Sequence, residues 1–223
     1  MNNTAKLLLI PALLACAAAA QAQTAGTWMI RGGATAITPN VTSGDLTAPS
    51  LAGTKASINS ATRLSGGITY MVNDNFSVDL PLAVPFQHDI SGDGAILGAG
   101  KIGDVKALPA TLLAQWRFMD AKSAFRPYVG AGITYAAFYG ARSTSTLTAL
   151  TGGTPSNPTT LSIDSKWAAS VQLGASFAMN GGWFIDANYT YTPLSTTTKL
   201  SSGQTLDAKI NPSSVSLAIG FKF

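Results

Sequence analysis

Ser214-Val215-Ser216-Leu217-Ala218-Ile219-Gly220-Phe221-Lys222-Phe223 alternates without a break. Val215, Leu217, Ile219, Phe221 and Phe223 share one face; Ser214, Ser216, Ala218, Gly220 and Lys222 share the other. Side chains along a strand repeat their direction every two residues, so this is a strand with one wholly apolar face. A long exposed apolar edge drives aggregation in water. In a membrane β-barrel, lipid covers that face and ring closure pairs both edges. Phe221 and Phe223 are expected to form the C-terminal assembly signal, read by the barrel-assembly machinery.

Working outward, the N-terminal end agrees. Lys6 supplies a positive charge, Leu7 to Ala20 is an apolar run broken by Pro11, and Ala20-Gln21-Ala22 is a small-x-small cleavage site. Residues 1–22 therefore read as a signal peptide and 23–223 as the barrel. Leu13-Leu14-Ala15-Cys16 competes as a lipobox, but Leu14 is bulky for its place there. With Cys16 removed, the mature chain has no thiol. Beyond the signal, no apolar run approaches about 18 residues, so no transmembrane helix is expected. Only 11% of residues are charged, against roughly 25% in soluble domains, while Ser, Thr and Gly abound. The net charge of +4 forms no basic stripe, and nucleic acid is not an expected partner.

Eight alternating segments can be traced: near 27–37, 62–72, 76–87, 106–118, 125–139, 167–177, 183–192 and 214–223. The third is taken as unbroken, with Phe76, Val78, Leu80, Leu82, Val84 and Phe86 outward. Its other face carries Ser77, Asp79, Pro81, Ala83, Pro85 and Gln87. Short turns at 73–75, 119–124 and 180–182 alternate with long polar connections at 38–61, 88–105, 140–166 and 193–208. That asymmetry is typical of outer-membrane barrels. Trp28, Tyr70, Phe76, Trp116, Phe118, Phe125, Phe177, Trp183, Phe221 and Phe223 lie beside a short turn or a terminus, all outward by parity. They predict an aromatic girdle at the periplasmic interface. A soluble lipocalin-like barrel would turn the same face inward, but an eight-stranded interior is narrow and the opposite face carries the charges.

Four runs carry a family resemblance. They are Gly26 to Arg31, Pro85 to Ile90, Leu108-Pro109-Ala110-Thr111-Leu112-Leu113-Ala114-Gln115-Trp116, and Phe125-Arg126-Pro127-Tyr128-Val129-Gly130-Ala131-Gly132. In these the chain resembles the OmpW family of small outer-membrane proteins. The resemblance implies an all-β, eight-stranded antiparallel transmembrane barrel that lets small hydrophobic molecules cross passively.

The inward face divides by height. Arg31, Asp79, Arg117, Asp186 and Lys222 lie near the periplasmic girdle, where opposite charges should pair and fill the lumen as a lower plug. Above them the substrate path is expected along Pro81, Ala83, Pro85, Pro109, Thr111 and Phe138. Crossing a charged plug would cost an apolar solute the benefit of leaving water. Pro81, Pro85 and Pro109 cannot donate ladder hydrogen bonds. They either weaken the seam between the third and fourth segments or merely set curvature; the family resemblance favours a lateral opening. Trp167 matches a family tryptophan of the upper lumen. Alternation points it outward, so a lumenal role requires a bulge.

His88 is the only histidine. It reads as a solvated loop residue, and no metal site or hydrolytic triad can be assembled around it. No enzyme, cofactor or metal is expected. Residues 143–162 read as an exposed loop. The expected partners are outer-membrane lipid, lipopolysaccharide, the assembly machinery and hydrophobic solutes. The alternative function is a structural barrel whose loops bind host surfaces, phage or lipopolysaccharide.

Overall fold

The computed structural model describes residues 22–223. The expected signal segment, with Cys16, lies outside the described residues except for Ala22. Eight staves close into one antiparallel ring. In chain order they are β1 (Trp28–Thr38), β4 (Ala61–Met71), β5 (Phe76–Ala83) with β6 (Phe86–Gly94), β7 (Lys101–Arg117), β8 (Phe125–Ser143), β10 (Lys166–Ala178), β11 (Trp183–Tyr191) and β14 (Ser213–Lys222). Around the ring the order is β4, β1, β14, β11, β10, β8, β7 and β5, with β5 returning to β4. Phe223 and Trp28 exchange two backbone hydrogen bonds of 2.9 Å, so Phe223 takes part in the closure.

The alternation read for β14 holds in that strand. Val215, Leu217 and Ile219 are exposed on the outer wall, whereas Ala218 and Lys222 are buried. The aromatic rows pack across neighbouring strands at the short-turn end. Trp28 lies 4.8 Å from Tyr70 and Trp183 lies 5.3 Å from Phe221, ring centre to ring centre. Cross-strand aromatic pairs of this kind stabilise a sheet by roughly 0.2–1 kcal/mol each.

The third stave departs from expectation. It breaks at Val84-Pro85, and the side-chain parity slips by one. Phe86, expected outside, is 0% exposed and points into the lumen. Pro85, expected inside, is exposed, as is Gln87. A one-residue slip moves every later side chain to the other face.

The long connections are also more ordered than a reading as polar loops implied. β2 (Thr42–Ser43), β13 (Thr205–Lys209), β12 (Ser195–Leu200) and β9 (Leu161–Ile163) form a separate four-stranded sheet on the external side. β3 (Thr54–Ile58) pairs with the upper part of β6. Within residues 143–162 a short helix, α1 (Ser145–Leu150), is capped by Thr144, whose hydroxyl accepts from the Leu147 N–H. Ile90, Ile96, Ile102, Val105, Leu147, Leu161 and Leu200 form an apolar core beneath this cap. His88 belongs to that ordered region. It is only 4% exposed, and its Nδ1 lies 2.8 Å from the Asn59 carbonyl oxygen.

Candidate functional site: an apolar column above a charged floor

The floor begins with Arg31 on β1. Its guanidinium holds Asp79 of β5 through two parallel bonds, 2.7 and 2.8 Å. Thr69 of β4 accepts from Arg31 and donates to Asp79. A two-pronged pair of this kind is the strongest form of charge-assisted hydrogen bond. Gly67 faces Arg31 across the ladder, and a Cβ there would lie 2.7 Å from Nη2. The missing side chain is thus the space that the guanidinium fills.

Asp186 of β11 sits 4.0 Å from Arg31 Nε. It accepts from the Tyr128 hydroxyl at 3.0 Å and from Asn188 at 3.1 Å. Tyr128 in turn occupies the volume left free by Gly174, where a Cβ would fall 2.4 Å from the ring.

Arg117 is not paired as expected. Among the described residues it makes no ion pair with a carboxylate. It donates to Ser77 at 3.1 Å, Gln115 at 2.8 Å, Ser176 at 3.3 Å and the Gln23 Oε1 at 3.3 Å. Its guanidinium lies 4.6 Å above the Tyr128 ring. Neutral dipoles and a π face replace the expected counter-charge. The reason is register: Asp79 and Asp186 are already held at the level of Arg31, while Arg117 lies closer to the periplasmic end of β7.

Arg126, absent from the expected plug, is fully buried. It binds the carbonyl oxygens of Gln23, Asp74, Phe118 and Met119 at 2.6–3.4 Å. One side chain thus ties the N-terminal segment to two periplasmic turns. Gln23 itself, 2% exposed, bridges Arg117, Arg126 and Ser176. Lys222 is buried in the same end of the barrel. Among the described residues, Arg31, Arg117, Arg126 and Lys222 share this end of the barrel with the two buried carboxylates Asp79 and Asp186. No buried side-chain nitrogen or oxygen among the described residues lacks a hydrogen-bond partner.

Above the floor three cavities follow one another. The lowest, about 110 Å³, has Arg31 at its base and is lined by Pro81, Ala83, Phe86, Pro109 and Thr111 among others. The middle one, about 90 Å³, is lined by Phe138, Ile58, Ile90 and His88. It shares Ile37, Pro109, Ala136, Leu194 and Pro212 with the lowest. The upper one, about 80 Å³, lies under the external cap and shares Ala56, Ile90, Thr198 and Leu206 with the middle. Shared walls make the three a column.

Of the expected path residues, Pro81, Ala83, Pro109, Thr111 and Phe138 line this column. Pro85 does not, because the slip at Val84-Pro85 turns it outward. Trp167 does not either. β10 pairs with β8 in unbroken register from Lys166 to Phe177, so no bulge turns the indole inward. It is 69% exposed and packs on Tyr135 at 4.9 Å, on the outer wall. Alternation could not reveal Phe86 as a lumenal residue.

The wall beside the lowest cavity has a gap. β5 pairs with β7 from Phe76↔Trp116 to Asp79↔Leu113, and pairing resumes only at Phe86↔Ala107. Residues 80–85 and 108–112 face each other with no ladder between them. Pro81, Pro85 and Pro109 all fall within this stretch. Leu82 points outward, 48% exposed, yet also lines the lowest cavity. The cavity therefore reaches the barrel wall where the ladder is missing.

Residues 24–223 match the OmpW family. Outer membrane protein W of Vibrio cholerae serotype O1 is 34% identical over 202 residues, 89% of each chain. The crystal structure of OprG from Pseudomonas aeruginosa superposes with a TM-score of 0.80 at 29% identity, covering 91% of this chain and 98% of that one. The dibenzothiophene metabolism operon protein DoxH of Pseudomonas sp. strain C18 is 25% identical over 157 residues, 69% of this chain and 68% of that one. Closed ring, girdle and these likenesses converge: the chain belongs to the OmpW family and is an eight-stranded antiparallel barrel of the bacterial outer membrane.

Proposed function

We propose that the barrel gives passive passage to small hydrophobic molecules, which descend the apolar column and leave sideways between β5 and β7 into the membrane. The ladder gap beside the lowest cavity, directly above a charged floor, carries this reading. An apolar solute gains by staying among Ile, Leu, Pro and Phe side chains. It would lose that gain on passing Arg31, Asp79 and Asp186. In lipid, unpaired backbone groups are tolerated only where they line a cavity or meet protein, and this gap borders a cavity. The operon name of the DoxH relative, dibenzothiophene metabolism, makes an apolar aromatic solute the class to try first.

The rest of the reading follows the same route. Residues 1–22 direct export and are removed. Phe221 and Phe223 present the strand that the assembly machinery recognises. The outer wall meets lipid and lipopolysaccharide. The ordered external cap also supports a second reading, a surface-interaction barrel binding host, phage or lipopolysaccharide through that sheet.

A cysteine pair at Leu82 and Ala110 tests the exit, because the mature chain contains no other cysteine if the signal is removed. Vesicles holding the oxidised, verifiably cross-linked barrel should take up a hydrophobic solute far more slowly than the reduced form. Equal rates would mean that solute does not leave by this seam.

A further inference from the structure

Gln23 occupies an unusual place for a residue at the edge of a barrel. It is 2% exposed, and its backbone N–H donates to the Ala121 carbonyl at 2.9 Å. Its Oε1 accepts from Arg117 at 3.3 Å and Arg126 at 3.4 Å, its carbonyl accepts from Arg126 at 3.0 Å, and its Nε2 donates to Ser176 at 3.0 Å. The nearest acidic side chains on the adjoining turns, Asp74 and Asp120, are exposed, and each accepts a backbone N–H, from Ala25 and Lys122 respectively.

Cleavage after Ala22, the expectation on which this inference rests, turns the Gln23 nitrogen into an α-amine. Such amines titrate near 8 and are largely protonated at neutral pH. Here the ammonium would lie beside two buried guanidiniums, where a further like charge is strongly disfavoured. The glutamine side chain offers a route out of this conflict.

We propose that Gln23 of the mature chain closes to pyroglutamate, and that this neutral cap is the N-terminus the arginine-rich floor accepts. The α-amine attacks the side-chain amide carbon. The N–Cδ bond forms, the Cδ–Nε2 bond breaks, and the amide nitrogen leaves as ammonia. No oxidant, reductant or co-substrate is consumed. The lactam keeps one N–H for the Ala121 carbonyl and one carbonyl oxygen for Arg117 and Arg126. It gives up the Nε2 donor, and the Ser176 hydroxyl still accepts from Arg117 at 3.3 Å.

Mass analysis of the N-terminal peptide from barrels extracted from outer membranes tests this directly. The expected peptide begins at Gln23 and lacks one ammonia. A peptide that begins at Gln23 with its amide intact overturns the proposal. One that begins elsewhere overturns the cleavage expectation and the proposal with it, and is recognised by its different sequence. A second measurement addresses the cause. The full mature chain, released with Gln23 first and refolded in detergent, is compared before and after cyclisation by glutaminyl cyclase. Cyclisation should shift the unfolding equilibrium toward the fold by roughly tenfold or more, the effect of one pKa unit of charge repulsion. Indistinguishable unfolding of the two forms would refute the electrostatic argument.

Discussion

Replacing Asp79 with alanine removes the acceptor of both Arg31 bonds and of the Thr69 hydroxyl. Arg31 keeps the neutral Thr69 hydroxyl as an acceptor and the Asp186 carboxylate 4.0 Å from its Nε, and its side chain is 6% exposed. Breaking one partner of a buried pair costs about 3–5 kcal/mol, so the unfolding equilibrium should shift by roughly two to four powers of ten at 1.4 kcal/mol per decade. The assay is urea unfolding of the barrel in lipid vesicles, followed by tryptophan fluorescence, with single-channel conductance measured in parallel. Trp28, Trp116, Trp167 and Trp183 lie on the outer wall and should report loss of the lipid contact. Removing both partners separates the pair from the cavity it fills. Arg31→Met with Asp79→Leu removes both members of the pair and should recover part of the loss, as buried pairs exchanged for apolar groups often do; Asp186 then loses the guanidinium 4.0 Å away and keeps the Tyr128 and Asn188 donors. A single variant destabilised by less than about 1 kcal/mol, with unchanged conductance, would refute the view that this pair is a desolvated keystone of the floor.

Deleting Phe223 removes two backbone hydrogen bonds to Trp28 at the closing seam. At about 1 kcal/mol each, together with the lost aromatic, this should reduce the heat-modifiable barrel recovered from outer membranes; undiminished recovery would count against an assembly role. His88 lies above the lipid-facing row of β7, which the exposed Lys106 ends, because it pairs with Val105. Burial lowers its pKa, with Arg63 adding repulsion and Asp89 and the Asn59 carbonyl opposing. A histidine held neutral by the fold contributes stability that is complete above its unfolded pKa of about 6.5 and is lost as pH falls through the lower folded value. Melting curves of the native barrel should therefore worsen on acidification more than those of His88→Gln, and parallel curves would exclude this group as the cause. Phe86→Ala should enlarge the lowest cavity, cost about 3–5 kcal/mol and admit bulkier solutes, which a size series in the vesicle uptake assay would reveal.

The period-two pattern is a property of the chain alone, so the number of staves, their outward faces and the girdle were legible without coordinates. Lipid outside and a narrow lumen inside leave each strand one choice of face. For the same reason, Arg31, Asp79, Arg117, Asp186 and Lys222 could be placed inside and near one end from parity and distance to the turns. Partnership could not. Which inward side chains meet depends on strand stagger around the ring, and that is set by pairings between residues as distant in sequence as Arg31 and Gly220. That stagger gave Asp79 to Arg31, left Arg117 to amides, hydroxyls and the Tyr128 ring, and made Gln23 and Arg126 the bottom of the barrel. Periodicity also hides its own interruptions. At Val84-Pro85 the sequence continues to alternate while the backbone slips, so only the folded ring revealed Phe86 in the lumen and Pro85 outside it. The external cap was concealed for a related reason: Thr- and Ser-rich strands such as β12 carry little apolar signal, and they become strands because distant segments offer backbone hydrogen bonds and an apolar core to cover.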